Sequence, residues 1–306
     1  MVGAWVRCFC VLVLFGGFAP GLRAAEDRNV LVLGRISDDP RAHYDQLKAL
    51  LDYVVPRMRE VGITEGRVLM ARDPQQMASY LRRGRVDWVT ETAATAVQLQ
   101  QRADARLLVL TERNGVSRYH TLFFTHRDSA VRALADMRGH ALALQSPAST
   151  SAYMIPMTTL LDLGLRPEIL LGPDDRSPPD RVGYVFARTE ANISVWVQKR
   201  KVEVGALSNL DWADPQRMPP AFKADLRVIH QTPDYPRALE LVRADLPQPV
   251  EERLREVLLE AAEDPEAGPA LHQFFHTSRF LPLDDELRKS LSELRAGVAR
   301  VRAEVE

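Results

Sequence analysis

The chain has 306 residues, 46% of them hydrophobic and 26% charged, which is enough apolar material for two compact lobes and too much for a disordered chain. Its 40 basic and 41 acidic residues give a formal net charge of -1, so no overall positive field draws in nucleic acid or an anionic membrane, and any affinity for an anion has to come from local geometry. The 2 cysteines, Cys8 and Cys10, both fall in the N-terminal leader described next, so the remainder has no disulfide, thiol or cysteine-held metal chemistry.

Residues 1–24 place Arg7 ahead of the apolar stretch CFCVLVLFGGFA, with Pro20, Gly21 and a small-residue site at Ala24 and Ala25 beyond it. That order reads as a secretory signal peptide, and the apolar run is shorter than the ~20 residues a spanning helix needs. Neither cysteine directly follows the apolar core, where a lipidated residue would stand. Cleavage after Ala24 removes Arg7 and Arg23 and leaves a mildly acidic, soluble chain, expected in the periplasm of a bacterial envelope.

Beyond the leader, strand and helix alternate. The β-branched run Val30 to Gly34 suits a buried parallel strand, and Leu47, Leu50, Leu51, Val54, Val55 and Met58 form one apolar stripe of a helix that Pro56 bends and Gly62 ends. A second unit has a strand from Arg67 to Ala71, an N-cap at Asp73 with Pro74 at the first helical position, a helix through Leu81 and a stop at Gly84. The pattern continues with a strand from Val86 to Val89, a helix from Ala93 to Gln100, a strand from Arg106 to Thr111 and an extended segment from Tyr119 to Thr125. It restarts from Leu134 with a helix, then a strand from His140 to Gln145, a turn at Pro147 and a helix from Ser149 to Leu163 closed by Gly164. A Pro- and Asp-rich loop, Gly172 to Arg181, precedes the strand VGYVFA, the helix NISVWVQKRK and the strands VEVGAL and RVIHQ. The remainder after the extended run at Arg237 to Arg243 reads as helical, and Leu287, Leu291, Leu294, Val298 and Val301 place its last helix against the first lobe.

The fold class is therefore α/β, two lobes joined by two crossing strands, with the middle lobe inserted in the outer one. The expected division is 26–123 for the first part of lobe 1, 124–231 for lobe 2 and 232–306 for the completion of lobe 1. Two such lobes form a cleft that can close around a small ligand.

The stretch most informative about chemistry is Gln145-Ser146-Pro147-Ala148-Ser149-Thr150-Ser151-Ala152, which follows a strand and opens a helix. The first turn of a helix has N–H groups without intrahelical partners and carries about +0.5 of an elementary charge, so three added hydroxyls suit a tetrahedral oxyanion. Capping by Ser149 alone needs only one of the three.

These residues resemble the periplasmic phosphate-, phosphite- and phosphonate-binding proteins of ABC importers, which have the type II bilobal fold. The family motif P-x-S-T-S-G is matched by Pro147 to Ala152, with alanine in place of the final glycine; VDWVTET, Tyr119 and the downstream strand match more loosely. The resemblance implies that Ser149, Thr150 and Ser151, with the N–H groups of Ser151 and Ala152, hold the phosphoryl or phosphonyl oxygens, and that Tyr119 adds a phenolic hydrogen bond. Glu91 stands where several members have an aromatic hydroxyl. Arg188-Thr189-Glu190-Ala191-Asn192 stands for G-H-E-x-N, so Glu190 and Asn192 match while the histidine is lost. The polar residue after the next strand is Ser208 or Asn209, of which Asn209 is taken as the site residue.

If both Glu91 and Glu190 face the cleft, a fully ionised phosphate is repelled, and a protonated oxyanion or an aminophosphonate zwitterion is favoured. His272 and His276 share a helix face without the glutamate of a zinc-protease motif, and there is no G-x-S-x-G elbow or phosphate-binding P-loop. No metal, cofactor or catalysis is therefore expected. The expected role is an exported monomeric solute receptor that delivers its ligand to an ABC permease. The alternatives are a sensory receptor read by a membrane kinase and a periplasmic enzyme using Glu91 and Glu190 as an acid–base pair.

Overall fold

Strand gives way to helix at capping residues that the computed structural model, which describes residues 29–37 and 39–306, shows in place. The expected signal peptide and both cysteines lie outside the described residues. The first lobe begins with β1 (Val30–Ile36), α1 (Pro40–Val54), a 3-10 segment (Val55–Val61), β2 (Glu65–Ala71), α2 (Pro74–Arg82), β3 (Trp88–Thr92), α3 (Ala93–Ala103) and β4 (Arg106–Arg113). Asp73 accepts from the Gln76 N–H at 2.7 Å, with Pro74 in the first turn, and a cap of this kind contributes about 0.5–2 kcal/mol. Gly62, at φ 85°, turns the chain out of the 3-10 segment in the left-handed region that favours glycine.

The chain crosses to the second lobe through β5 (Arg118–Tyr119). That lobe contains β6 (Thr121–His126), β7 (Ala141–Leu144), a π turn (Thr150–Met154) continuing into α4 (Ile155–Asp162), β8 (Pro167–Ile169), β9 (Val182–Phe186), α5 (Glu190–Gln198), β10 (Val204–Ser208), α6 (Asn209–Ala213), α7 (Pro220–Lys223) and β11 (Leu226–Gln231). The return crossing is β12 (Tyr235–Pro236), after which β13 (Ala238–Val242), α8 (Gln248–Glu260), α9 (Gly268–Gln273), β14 (Thr277–Leu281) and α10 (Asp285–Glu304) complete the first lobe.

Each lobe is built on a six-stranded sheet, ordered β14-β4-β13-β3-β1-β2 in the first and β11-β6-β10-β7-β9-β8 in the second. β1 runs parallel to β2 and β3, whereas β13 enters from the second crossing and pairs antiparallel with β3 and β4. Three expectations change. The boundary after residue 123 falls inside β6, which pairs with β10 and β11 along its length, so the crossing is at β5. Arg237 to Arg243 is not a crossing but leads into β13, an inner strand of the first sheet. The C-terminal stretch is not all helical, because Thr277–Leu281 adds an edge strand to β4.

The apolar stripe of α10 is buried as expected, but it serves both lobes: Leu287, Leu291, Leu294, Val298 and Val301 share one core with Ala96 and Leu99 of α3 and with Met157 and Leu160 of α4. The approach to α4 is close enough that a Cβ on Gly297 would stand 2.6 Å from Thr158. A second core, on the other face of the first sheet, packs Leu31, Leu33 and Trp88 against Leu47, Leu50, Leu51 and Val54 of α1 and Phe274. Among the described residues no helix is long and apolar enough to cross a membrane.

Candidate ligand-binding cleft

The two crossings form a short antiparallel ribbon in which Tyr119 pairs with Tyr235, their rings 4.7 Å apart and edge-on. The Tyr235 hydroxyl donates to Thr121 Oγ1 at 2.7 Å, and Thr121 Oγ1 donates to the Ser151 carbonyl at 2.8 Å, which ties the ribbon to the start of the π turn. Tyr119 is buried at the lobe junction beside Ser151, whose side chain pulls against the rise in the Tyr119 pKa. Burial pushes the Tyr119 hydroxyl pKa well above the ordinary phenol value, so it stays a neutral donor.

The Ser149-Thr150-Ser151 stretch is where the sequence puts it, between β7 and α4, but its first turn is a π turn. Ala152, at φ -111° and ψ 22°, leaves helical geometry there. Ser149 Oγ accepts from the Ala152 N–H at 3.0 Å, an ordinary cap. Thr150 is 1% exposed and its hydroxyl bridges the lobes: it accepts from the Ala94 N–H at 3.0 Å and donates to Thr92 Oγ1 at 2.9 Å. The three hydroxyls thus serve as a cap, a lobe bridge and a partner of Tyr119. The Ala152 N–H, expected on the anion, is bonded to Ser149.

Glu91 departs from expectation. β3 continues three residues past the strand end at Val89 read from the sequence, which places Glu91 beside Leu239 of β13 and leaves it 5% exposed. Its carboxylate accepts from the Ile36 N–H at 2.7 Å and from Thr92, while burial raises its pKa against the pull of Arg35 and Arg113. It joins the ends of β1 and β3.

The charge gathered beside it is positive. Arg35 is the last residue but one of β1 and Arg113 ends β4; their guanidinium carbons stand 4.5 and 4.4 Å from the centroid of the Phe275 ring, over its face. Arg113 is 8% exposed and donates to Thr90 Oγ1 at 3.1 Å, and among the described residues its Nε has no partner, nor has that of Arg35. Arg237, next to the return crossing, donates to the Arg113 carbonyl at 2.7 Å. Burial first, and Arg35 second, pull the Arg113 pKa down to about 9. A guanidinium keeps its proton at neutral pH, so this downward pull marks a charge short of compensation. Part of the compensation is Glu240, wholly buried in β13, which accepts from Trp88 at 2.7 Å, Thr90 at 2.8 Å and Thr111 at 2.7 Å.

The second lobe's remaining candidates are spread over two helix starts. Thr189 caps α5 on the Asn192 N–H at 3.1 Å, and the Asn192 side chain donates to the Ala187 carbonyl at 2.8 Å. Glu190 opens that helix half-buried, within electrostatic reach of Arg217. Asn209 Oδ1 accepts from the His120 N–H at 3.1 Å, and its own N–H donates to the His120 carbonyl at 2.9 Å, so it braces the crossing. Asp211, paired with Arg217, closes a capping box with Ser208. His272 and His276 are 3.3 Å apart, and among the described residues no group of three or more metal-binding side chains assembles.

Arg35, Arg113, Arg237, Phe275 and Glu240 were not singled out from sequence. The available signal was Glu240, an acid inside the apolar run ALELV, since a buried carboxylate has to be paired.

Residues 36–287 match the family model described as ABC transporter, phosphonate, periplasmic substrate-binding protein. XAC2383 from Xanthomonas citri is 55% identical in its structure bound to a chloride ion, covering 90% of this chain and 100% of its own with a TM-score of 0.88. Its structure bound to ATP is 54% identical, covering 91% and 100% with a TM-score of 0.87. PhnD1 from Prochlorococcus marinus, in complex with methylphosphonate, shares the fold at 16% identity and a TM-score of 0.63, covering 91% of this chain and 100% of its own. The chain belongs to the periplasmic phosphonate-binding family of ABC transporters and has the type II bilobal fold.

Proposed function

We propose that this family member is an exported, monomeric solute receptor that closes on a small phosphorus oxyanion or phosphonate and hands it to an ABC permease in the inner membrane. The observation that carries the reading is the junction of Tyr119 with Ser151: a neutral phenol on the inter-lobe crossing meets a hydroxyl at the start of the continuous helical segment Thr150–Asp162. Both groups are uncharged donors, and the helix start adds partial positive charge, which suits a phosphoryl or phosphonyl oxygen. Opening of the lobes releases Thr150 from Thr92 and Ala94, so the hydroxyl that bridges the lobes becomes a donor to an anion. In this reading Ser149, Ala152, Asn192, Asn209 and Glu190 complete the site, the last as acceptor for a protonated oxygen or an ammonium group. Glu91 acts behind them by holding the strand ends.

The XAC2383 structures with chloride and with ATP support an anionic ligand bearing phosphoryl oxygens. The signal-peptide pattern of residues 1–24 supports export. A thermal-shift screen of residues 25–306 against phosphate, phosphite, alkyl- and aminophosphonates, sulfate and simple carboxylates tests the reading. Ligand at about 100 times Kd stabilises the folded state by about 2.7 kcal/mol. A selective shift with phosphorus oxyanions supports the proposal, and a panel without any shift overturns it.

A further inference from the structure

We infer that Arg35 and Arg113, seated on Phe275 with Arg237 beside them, form a second anion station on the first lobe, so that the ligand carries two or more phosphoryl groups. This rests on the proposed receptor reading and specifies its ligand class: organic or inorganic diphosphates and triphosphates rather than simple alkylphosphonates.

Three independent observations carry it. First, the station is built. Phe275 at φ 54° and His276 at φ 52° are consecutive non-glycine residues in the left-handed region, an uncommon arrangement for bulky side chains. The turn they make follows α9 and sets the Phe275 ring against both guanidinium groups. Second, it is short of anions. Among the described residues three arginines converge on two buried carboxylates, and those carboxylates are spoken for: Glu240 by Trp88, Thr90 and Thr111, and Glu91 by Ile36 and Thr92. Among the described residues the Nε of Arg113, in a side chain more than nine-tenths buried, has no partner, and neither has that of Arg35. A buried donor left without an acceptor is costly, more so when charged, and an anion supplies the acceptor it lacks.

Third, it faces the first station. Arg35 and Arg113 lie at the ends of their strands beside the crossings, the side of a sheet where open α/β folds bind ligands. Tyr119, beside Ser151, feels the charge of both Arg237 and Arg113, and Arg237 feels Asp211 and Arg217 of the second lobe. One phosphoryl group at Ser149–Ser151 and another on the guanidinium pair would thus flank the Tyr119 hydroxyl. Arginine forks suit phosphate oxygens through paired N–H donors, and the bonds are charge-assisted.

The experiment is isothermal titration of the leaderless chain with methylphosphonate, inorganic phosphate, pyrophosphate and ATP, repeated in Arg35→Gln and Arg113→Lys. The expected result is pyrophosphate or ATP bound at least about tenfold more tightly than methylphosphonate, with that ratio falling toward one in both variants. Arg35 is only partly buried, so its variant keeps the test sound if Arg113→Lys fails to fold, which its thermal unfolding shows. Equal affinity for one and several phosphoryl groups, or a preference that survives in Arg35→Gln, overturns the second station and leaves the receptor reading standing. Failure of every phosphorus anion to bind overturns the receptor reading itself.

Discussion

Thr150 and Thr92 join the two lobes through their hydroxyls at 2.9 Å, with the Ala94 N–H completing the bridge at 3.0 Å. The contact brings the start of the π turn against the start of α3, so the central residue of the S-T-S stretch is a lobe contact as well as a ligand candidate. A valine at this position keeps the shape and removes both hydrogen bonds. Thr150→Val is predicted to lower stability by about 1–3 kcal/mol, because the Ala94 N–H is left buried without an acceptor. Urea unfolding measures this, and an unchanged midpoint would show that the bridge contributes nothing.

Removal of Ser149 and Ser151 separates capping from anion binding. Ser149→Ala loses the bond to the Ala152 N–H and is predicted to cost about 0.5–2 kcal/mol of stability. Ser151→Ala removes a partner of Tyr119 rather than a cap, so its larger effect falls on anion affinity. Comparing each variant's unfolding midpoint with its phosphate affinity checks the division; a larger affinity loss in Ser149→Ala than in Ser151→Ala contradicts it.

Glu91→Gln tests whether the carboxylate touches ligand or only holds strand ends. The amide oxygen can still accept from the Ile36 N–H, and removing the negative charge leaves Arg35 and Arg113 less compensated. Anion affinity is predicted to rise severalfold while the order of preferred ligands stays the same. A reordered ligand profile would place Glu91 in contact with ligand.

Alkaline stability follows from the buried tyrosines. Burial raises the pKa of Tyr119 and Tyr235 in the folded chain above the ordinary phenol value of 10.0, so above that pH the unfolded chain releases protons that the folded chain retains. Their contribution is fully present below pH 10 and is lost as pH rises toward the folded values. Phenolate absorbance during an alkaline titration is predicted to show these groups ionising only as the protein unfolds, and Tyr235→Phe is predicted to weaken the alkaline loss. Early reversible ionisation of both groups in the native state would contradict the burial argument.

The bilobal plan was legible because strand and helix punctuation is local: Asp73 with Pro74, Gly62 and Gly164 stop and start elements by backbone chemistry that needs no tertiary partner. The S-T-S stretch was legible for the same reason. The arginine station was not, since Arg35, Arg113 and Arg237 come from three strand ends far apart in sequence, and each alone resembles a solvated surface charge. Glu91 was misplaced because its strand is extended to Thr92 by pairing with β13, a partner about 150 residues downstream that no local pattern reveals. The reach of α10 across both lobes was missed likewise: a helical stripe shows that a face is buried but not against what.

The central claim is that the lobes close on a phosphorus anion. Because the 2 cysteines are Cys8 and Cys10, a leaderless chain carrying Arg59→Cys and Lys201→Cys accepts one spin label on an exposed site of each lobe. The direct measurement is the inter-label distance distribution during titration with the phosphorus anion that gives the largest thermal stabilisation. The account predicts a shift to a shorter, narrower distribution with the same midpoint as calorimetric binding, and a distribution unchanged at saturating ligand would contradict it.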